Sequence, residues 1–258
     1  PVMLDPVVSM TTAAVSTSTI KVASSTIIAP YRHPLAVAHQ FATLDAVSGG
    51  RVIMGVSAGW APGEFAALGA PFKQRGAITE ECLEIYKLAW TEPWPEYQGR
   101  FFEFSDISVE PKPTQRPHPP IVYGGMTEAG ARRAARHCDG LYPILLDRNA
   151  DPGRFDGLLE VVSDEAERIG RDLTGFQLLG FVSALITDAS HELARAESRP
   201  TLCGTAEQLK DGGAKGNSQF QPSSFEFDSA FDKIVSRGDG SDSSDSGGGE
   251  GGGGGQAV

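Results

Sequence analysis

Residues 20–57, with the sequence IKVASSTIIAPYRHPLAVAHQFATLDAVSGGRVIMGVS, determine the fold. In residues 20–28, apolar side chains fall on both alternating faces, a pattern typical of a parallel strand that is covered on both sides. Residues 35–47 carry apolar side chains at helical spacing behind Pro34, and glycines follow the last turn. Residues 51–57 are again rich in apolar, β-branched side chains. The segment therefore predicts a parallel strand–helix–strand unit.

The same alternation continues on the C-terminal side of this unit. Three further segments have the composition of buried strands: 121–125, 141–146 and 176–186. Three more have helical periodicity or a helix-capping signal: 78–90, 154–169 and the segment that begins after Thr127. Alternating aromatic residues at 97–110 predict a short hairpin or extended flap. We expect an α/β fold with a parallel sheet, closed as a barrel or open.

Composition excludes several classes of partner. The 258 residues have a formal net charge of −11, so a general basic face for nucleic acid is not expected. No apolar run approaches the ~20 residues of a membrane span, and no signal peptide is evident. Three widely spaced cysteines predict buried free thiols in a reducing, cytoplasmic setting: Cys82, Cys138 and Cys203. Because the sequence begins with Pro1 rather than Met, we expect it to begin inside a longer gene product.

The C-terminal fifth of the chain differs from the rest. We expect residues 1–209 to form the α/β domain, residues 210–235 to be divergent, and residues 236–258 to be a disordered tail of Gly, Ser and acidic residues. Three aspartates of the tail are spaced three apart, which does not fit a calcium loop: Asp239, Asp242 and Asp245. No metal site is predicted.

Ligands of parallel α/β folds bind at the carboxyl ends of the strands. Gly124, Gly125 and Thr127 fit either a phosphate site at a helix N-terminus or a tight turn that Thr127 merely caps. Ser57 lies in GVSAG, which resembles both a dinucleotide fingerprint and a nucleophile elbow. The third glycine of a dinucleotide fingerprint is missing. A nucleophile elbow needs a helix directly after it, where Ala-Pro-Gly follows instead. Neither a dinucleotide site nor a hydrolase nucleophile is therefore predicted. His33 fits a general acid, a substrate contact or a loop residue.

Several motifs together resemble a known family. They are TIIAPYRHPL at 26–35, FATLDAVSGGRVIMGVSAGW at 41–60, EPKP at 110–113, RPHPPI at 116–121, and Gly124-Gly125. The combination is similar to the bacterial luciferase-like flavin and deazaflavin superfamily, over about residues 5–204. Within it, the chain most resembles the branch that uses the 8-hydroxy-5-deazaflavin coenzyme F420.

The resemblance implies a TIM-like (β/α)8 barrel with the coenzyme ring at its C-terminal mouth. It also implies a non-prolyl cis peptide at Ser24-Ser25 behind the ring. Three residues would line the mouth: Ser57, Gly59 and Trp60. Three would hold the coenzyme phosphate: Gly124, Gly125 and Thr127. In luciferase an arginine near the position of Ala58 helps to hold the phosphate, so the alanine here weakens the case for that mode of FMN binding.

The chain also departs from the family pattern. The first two strand–helix units expected before Asp5 are missing, and unfamiliar sequence replaces the final strand, so the barrel is predicted to be incomplete, with exposed edges. The leading hypothesis is F420-dependent hydride transfer to or from a small organic substrate, with His33 as the candidate catalytic residue. The alternatives are an FMN-dependent monooxygenase served by a flavin reductase, and a catalytically silent truncated homologue that acts through association, for example as a homo-oligomer.

Overall fold

A computed structural model describes residues 4–142 and 152–179, together with three short strands farther along the chain. The helices are α1 Pro6–Val15, α2 Pro34–Ser48, α3 Pro62–Ala67, α4 Arg75–Thr91, α5 Glu128–His137 and α6 Pro152–Ile169. The strands are β1 Val22–Ala23, β2 Ile27–Ile28, β3 Val52–Ser57, β4 Tyr97–Gln98, β5 Glu103–Phe104, β6 Ile121–Gly124, β7 Gly140–Tyr142, β8 Gln177–Leu178, β9 Ser183–Ile186, β10 Thr201–Gly204 and β11 Lys215–Gly216. The predicted tail at 236–258, and 210–235 apart from β11, lie outside the described residues.

The main sheet is parallel and has the order β1–β3–β6–β7–β8, with β2 also paired to β3. This arrangement confirms the predicted α/β fold with a parallel sheet. The strand–helix–strand unit of residues 20–57 is present, and the predicted hairpin is formed by β4 and β5. Among the described residues the sheet does not close into a barrel.

Two predicted strands are each divided in the structure. The strand at 20–28 consists of β1 and β2, separated by residues 24–26. The single strand predicted at 176–186 is wrong, because β8 pairs with β7 whereas β9 pairs with β10 in a different sheet. An apolar run indicates burial but does not specify the neighbour with which each residue pairs. Residues 143–146 of the other predicted strand lie outside the described residues.

Helix α1 was not predicted, because its sequence PVVSMTTAAV is rich in residues of low helix propensity. It begins at a strong N-terminal signal instead. The Asp5 side chain accepts hydrogen bonds from the backbone N–H groups of Val7 and Val8, and Pro6 takes the first helical position. Met10 and Ala14 are buried in the core. Tertiary packing and the cap together offset the weak propensity of this segment.

The core lies between the sheet and the helices α2 and α4. The Trp90 indole N–H donates to the carbonyl of Ala38 at 2.9 Å, which joins these two helices. Asp45 is fully buried, and its carboxylate accepts from both the backbone N–H and the side-chain amide of Gln115, at 2.9 and 2.7 Å. The TLD part of the family-like motif therefore anchors the proline-rich segment that leads into β6.

Ion pairs between side chains connect helices α5 and α6. Glu165 is 1% exposed and is paired with Arg132 and Arg136 of α5 and with Arg168 of its own helix. Hydrogen bonds from Arg168 and Arg136 hold the pKa of Glu165 well below its ordinary value. The carboxylate therefore remains ionised and binds the two helices together.

Two of the three cysteines, Cys82 and Cys138, are free and buried, as predicted. Burial raises the pKa of both thiols to about 12, so they are protonated and unreactive at neutral pH. The side chain of Cys203 lies outside the described residues. Within the described part of the chain, none of the helices combines the length and the apolar character that crossing a bilayer requires. The same residues contain no cluster of three potential metal ligands.

Candidate functional site

The carboxyl ends of four neighbouring strands bring most of the predicted site residues together. Across the sheet, Ile28 pairs with Ser57, and Gly124 pairs with Tyr142. Between them β3 and β6 run in register, so that Ser57 and Gly124 end adjacent strands. This edge of the sheet is called the mouth below. It is the edge at which parallel α/β folds bind their ligands.

The break between β1 and β2 is stabilised by Ser24. Its buried hydroxyl donates to the carbonyl of Gly55 and accepts from the Gly55 N–H, both at 2.9 Å. The non-prolyl cis peptide lies between Ser25 and Thr26, so its prediction at Ser24-Ser25 is wrong by one bond. The reason for the offset is that the Ser24 N–H still donates to Ile53, so that Ser24 remains part of the sheet and the chain turns after it.

Two pairs of hydroxyl groups follow this break. The Ser25 hydroxyl is 2.9 Å from that of Tyr142, and the Thr26 hydroxyl is 2.7 Å from that of Ser57. In a flat sheet β2 and β7 would lie about 14 Å apart, with their side chains perpendicular to the sheet. The Ser25–Tyr142 contact therefore requires the sheet to curl, with both hydroxyls on its concave face.

Ser57 has the surroundings of a ligand contact rather than of a nucleophile. A short helix, α3, begins at Pro62, so the expectation that no helix follows GVSAG is wrong. Pro62 supplies no N–H, and the prediction overlooked that proline is well tolerated at the first helical position. In the described part of the chain, the hydroxyl of Ser57 is bonded to Thr26 and to no histidine.

The turn after β3 depends on Gly59. Its φ is +77°, and a Cβ atom at this position would lie 2.7 Å from Cγ2 of Ile28. The next residue, Trp60, is 83% exposed, so its ring is available at the surface. The turn therefore combines close backbone packing with an unpacked aromatic side chain.

At the end of β6, Thr127 caps α5 as predicted, because its hydroxyl accepts from the N–H of Gly130 at 3.1 Å. The Gly125 N–H donates to the carbonyl of Tyr142 at 3.2 Å and is used within the sheet. The N–H groups of Glu128 and Ala129, in the first turn of α5, have no acceptor within the helix. These two groups, rather than that of Gly125, are the backbone donors that α5 offers at the mouth.

His33 lies between β2 and α2 and acts as the N-cap of α2. Its Nδ1 accepts from the N–H of Leu35 at 3.3 Å, so in the neutral ring the hydrogen is on Nε2. The exposed ring also meets Phe102 edge to face, with the ring centroids 5.5 Å apart. The backbone N–H groups of Phe101 and Phe102 donate to Glu81 of α4, which fixes this hairpin against the helix.

Replacing His33 tests this capping role. We expect His33→Ala to lower the free energy of unfolding by about 1 kcal/mol, because the α2 cap is lost. His33→Asn is expected to stay within a few tenths of a kcal/mol of the parent, since Asn is a favoured cap. Urea unfolding followed by circular dichroism measures both changes. Equal destabilisation by the two substitutions would contradict the capping role.

The sequence analysis missed Arg75. Its Nε donates to the carbonyl of Gly59 at 3.2 Å, and its guanidinium lies 4.1 Å from the ring centroid of Phe72. It therefore brings a positive charge to the turn that contains Ala58. A cation in the first turn of a helix is opposed by the helix dipole. The unfavourable position of this arginine in the first turn of α4 was the sequence signal that contacts outside the helix hold its side chain.

Comparison with known proteins gives a consistent family. The family model described as luciferase-like monooxygenase matches residues 1–242. An FMNH(2)-dependent dimethylsulfone monooxygenase of Pseudomonas putida is 38% identical over 127 residues, which are 48% of this chain and 35% of that protein.

Two solved structures share the fold. Monooxygenase RslO1 from Streptomyces bottropensis has a TM-score of 0.64 and 24% identity, over 90% of this chain and 66% of that one. The coenzyme F420-dependent tetrahydromethanopterin reductase from Methanopyrus kandleri has a TM-score of 0.60 and 23% identity, over 73% of this chain and 57% of that one. This chain thus spans between about a third and two thirds of the lengths of these proteins.

Proposed function

Because this chain belongs to the luciferase-like monooxygenase family, we propose that its mouth binds the ring of a flavin-type coenzyme, and that the complete protein is an oxidoreductase acting on a small organic molecule. The observation that carries this proposal is the pair of hydroxyl contacts, Ser25–Tyr142 and Thr26–Ser57, on one concave surface. Hydroxyls both donate and accept, which suits the carbonyl and N–H groups at the edge of such a ring.

The residues at the mouth fit this coenzyme in shape and chemistry. We assign the ring platform to Ser24 and Ser25, the walls to Ser57, Gly59 and Trp60, and the phosphate contact to the Thr127 hydroxyl and the first turn of α5, beside the backbone of Gly124 and Gly125. The support for the phosphate contact is the first turn of α5, where two N–H groups have no helical acceptor and the dipole favours an anion. When bound, the coenzyme supplies the redox chemistry, while the chain supplies binding and orientation.

We propose F420 as the coenzyme. Support comes from the motifs at 26–35 and 41–60 and from Ala58, which puts no cation in the turn after β3. The reaction would be hydride transfer to or from a small organic substrate. We place the coenzyme site within residues 1–209, with 210–235 and 236–258 outside it.

FMN is the second candidate, and two observations favour it. The relative from Pseudomonas putida is described as FMNH(2)-dependent. Arg75 bonds to the carbonyl of Gly59 and can supply a cation where Ala58 does not. An FMN enzyme of this kind would receive reduced flavin from a reductase.

We propose His33 as the hydrogen-bond donor to the substrate. Its Nδ1 is occupied by the cap, so only Nε2–H is left to act. As long as the cap is intact the ring is neutral, so Nε2–H can donate a hydrogen bond but the ring neither releases nor takes up a proton. The role of His33 is therefore that of a hydrogen-bond donor, not of a general acid or base.

Parallel fluorescence titrations with F420 and FMN test the proposal. We expect F420 to bind with a dissociation constant lower than that of FMN by on the order of tenfold. Thr127→Ala, which removes both the cap and the hydroxyl donor, is expected to weaken binding by about five- to tenfold, the effect of one hydrogen bond of about 1 kcal/mol. Thr127→Ser keeps both and is the matched control.

The titrations also separate the three hypotheses. Tighter binding of FMN would favour the monooxygenase. Binding of neither coenzyme would overturn the proposed function and favour a catalytically silent homologue. If Thr127→Ala binds as well as Thr127→Ser, the phosphate contact is assigned to the wrong residues.

A further inference from the structure

One arginine is buried in the interior close to the mouth. Arg133 of α5 is 8% exposed and is, in the described part of the chain, the one Lys, Arg or His residue in the buried class. Charged side chains rarely lie in the interior of a protein, because partners must replace the water that they lose. The partners of Arg133 therefore show how much of its charge the fold neutralises.

The guanidinium of Arg133 is only partly paired. Its Nη1 donates to the hydroxyl of Tyr123 at 2.9 Å, and its Nη2 lies 3.2 Å from a carboxylate oxygen of Glu80 in α4. Its buried Nε–H has no acceptor among the described residues. The Glu80 side chain is 32% exposed, so water weakens this ion pair. A surplus of positive charge thus remains between α4 and α5.

Tyr123 connects this charge to the phosphate contact proposed above. A Cβ atom on Gly125 would lie 3.3 Å from Cε1 of Tyr123, and one on Gly130 would lie 2.9 Å from it. The ring therefore packs directly against the turn after β6 and the first turn of α5. The guanidinium carbon of Arg133 is 5.4 Å from the centroid of the same ring. The charge thus lies within about 10 Å of the turn, a distance at which charges in protein surroundings still interact.

Arg133 also lies beside the first turn of α4 and near the turn after β3. A Cβ atom on Gly76 would be 2.8 Å from Nη2 of Arg133, so the guanidinium contacts the start of α4. Burial raises the pKa of Tyr123, and both Arg133 and the backbone N–H of Ala58 oppose this rise. The Tyr123 hydroxyl therefore lies between Arg133 and the turn that contains Ala58.

The remaining groups of the phosphate contact do not favour an anion by charge. Ala58 is uncharged, and Glu128 is an exposed acid in the first turn of α5. The net charge of −11 also repels an anion. Because water and salt screen a buried charge less than an exposed one, Arg133 acts more strongly than a surface cation at the same distance. It is placed to compensate for Glu128 where a phosphate would lie.

We propose that Arg133 makes the mouth prefer a coenzyme that carries a phosphate over the same ring without one. This inference rests on the proposed function, because it concerns the phosphate contact of the same site. Arg133 is separated from the contact by the Tyr123 ring, so it acts by its charge rather than by touching the phosphate. Arg75, which donates to the carbonyl of Gly59, is the competing source of positive charge.

Fluorescence titrations with FMN and riboflavin, which differ only in the phosphate, test this inference. The quantity of interest is the ratio of the riboflavin dissociation constant to the FMN dissociation constant, which we expect to exceed one in the parent protein. Arg133→Met keeps the length of the side chain and removes its charge. We expect it to lower the ratio by about five- to tenfold, almost entirely through weaker binding of FMN. Arg133→Lys keeps the charge and is expected to recover most of the ratio.

A second variant changes the ratio in the opposite direction. Glu80→Gln removes the negative charge that pairs with Arg133 and is expected to raise the ratio by about two- to threefold. Because the Glu80 side chain is partly exposed, this variant decides the question if Arg133→Met does not fold. Lys21→Met is the matched control. It removes an exposed cation just before β1, at the opposite edge of the sheet from the mouth, and should leave the ratio unchanged.

Salt dependence separates a role of the charge from a purely structural role. Added salt should weaken FMN binding to the parent protein and should affect Arg133→Met less, because part of the attraction has been removed. Riboflavin binding should not depend on salt in either protein. Circular dichroism checks that each variant is folded.

The outcomes distinguish this inference from the function on which it rests. If the parent protein binds neither F420 nor FMN, the proposed function is overturned and this inference falls with it. If Arg133→Met weakens FMN and riboflavin equally, or if the parent does not prefer FMN to riboflavin, only this inference is overturned. A ratio that falls in Arg75→Met and not in Arg133→Met, or that does not rise in Glu80→Gln, also overturns it.

Discussion

Gly55→Ala is expected to destabilise the fold by about 3–5 kcal/mol. A Cβ atom on Gly55 would lie 1.9 Å from the backbone carbonyl oxygen of Ser24, which cannot rotate away as a side chain can. β3 must therefore move away from the Ser24 segment. The movement breaks the two buried hydrogen bonds between the Ser24 hydroxyl and Gly55. The expected loss of stability is therefore the sum of the overpacking energy and the energy of the two lost hydrogen bonds.

Gly157→Ala is the matched control for this substitution. Gly157 lies in α6, and a Cβ atom there meets nothing within 4 Å. Alanine should stabilise the protein by about 0.5–1 kcal/mol, because it has the higher helix propensity. Urea unfolding of both variants measures the difference. If Gly55→Ala unfolds at the same urea concentration as the parent protein, the backbones of Ser24 and Gly55 do not approach each other as closely as described.

Arg51→Ala has the second largest expected effect, a loss of about 3 kcal/mol. The guanidinium donates to four backbone carbonyls and one hydroxyl, which belong to the end of α1, the segment that follows it and the end of α2. Arg51→Lys should recover less than half of the loss, since an ammonium group cannot reproduce the planar array of donors. Hydrogen exchange in α1 should accelerate along with the loss of stability.

Arg100→Ala is the control for the loss of one positive charge. The Arg100 side chain lies over the ring of Phe101, 5.0 Å from its centroid, and is exposed. Only its backbone N–H is bonded to Glu81, and this bond survives the substitution. We expect a change within about 0.5 kcal/mol. If the rate of hydrogen exchange in α1 is unchanged in Arg51→Ala, then Arg51 does not hold this helix in place.

The parts of the fold that the sequence predicts well are those with local signals. The unit at 20–57 combines alternating apolar residues, a first-turn proline and glycines after the helix, and all three signals agree. Thr127 was likewise identified as a cap from its position before a helical pattern, and it caps α5. Helix α1 was missed because its signal is a single cap, Asp5, while its propensity opposes a helix.

The candidate site was harder to predict because its contacts join distant residues. Ser25 and Tyr142 are 117 positions apart, and only the curvature of the sheet brings them together. Arg75 was overlooked because its partners are the backbone carbonyls of Gly59 and Phe72, which have no sequence signature. The family resemblance named the strand that carries the cis peptide but placed the bond one position too early.

The two hydroxyl pairs at the mouth have a consequence for what can bind there. In each pair, Ser25–Tyr142 and Thr26–Ser57, either oxygen can supply the shared hydrogen. Each pair therefore has two hydrogen arrangements, and rotation of both hydroxyls about their C–O bonds interconverts them without moving a heavy atom. A redox ring that gains or loses a hydrogen exchanges acceptors for donors along its edge. A surface lined with reversible hydroxyl pairs can match both oxidation states with the same set of atoms.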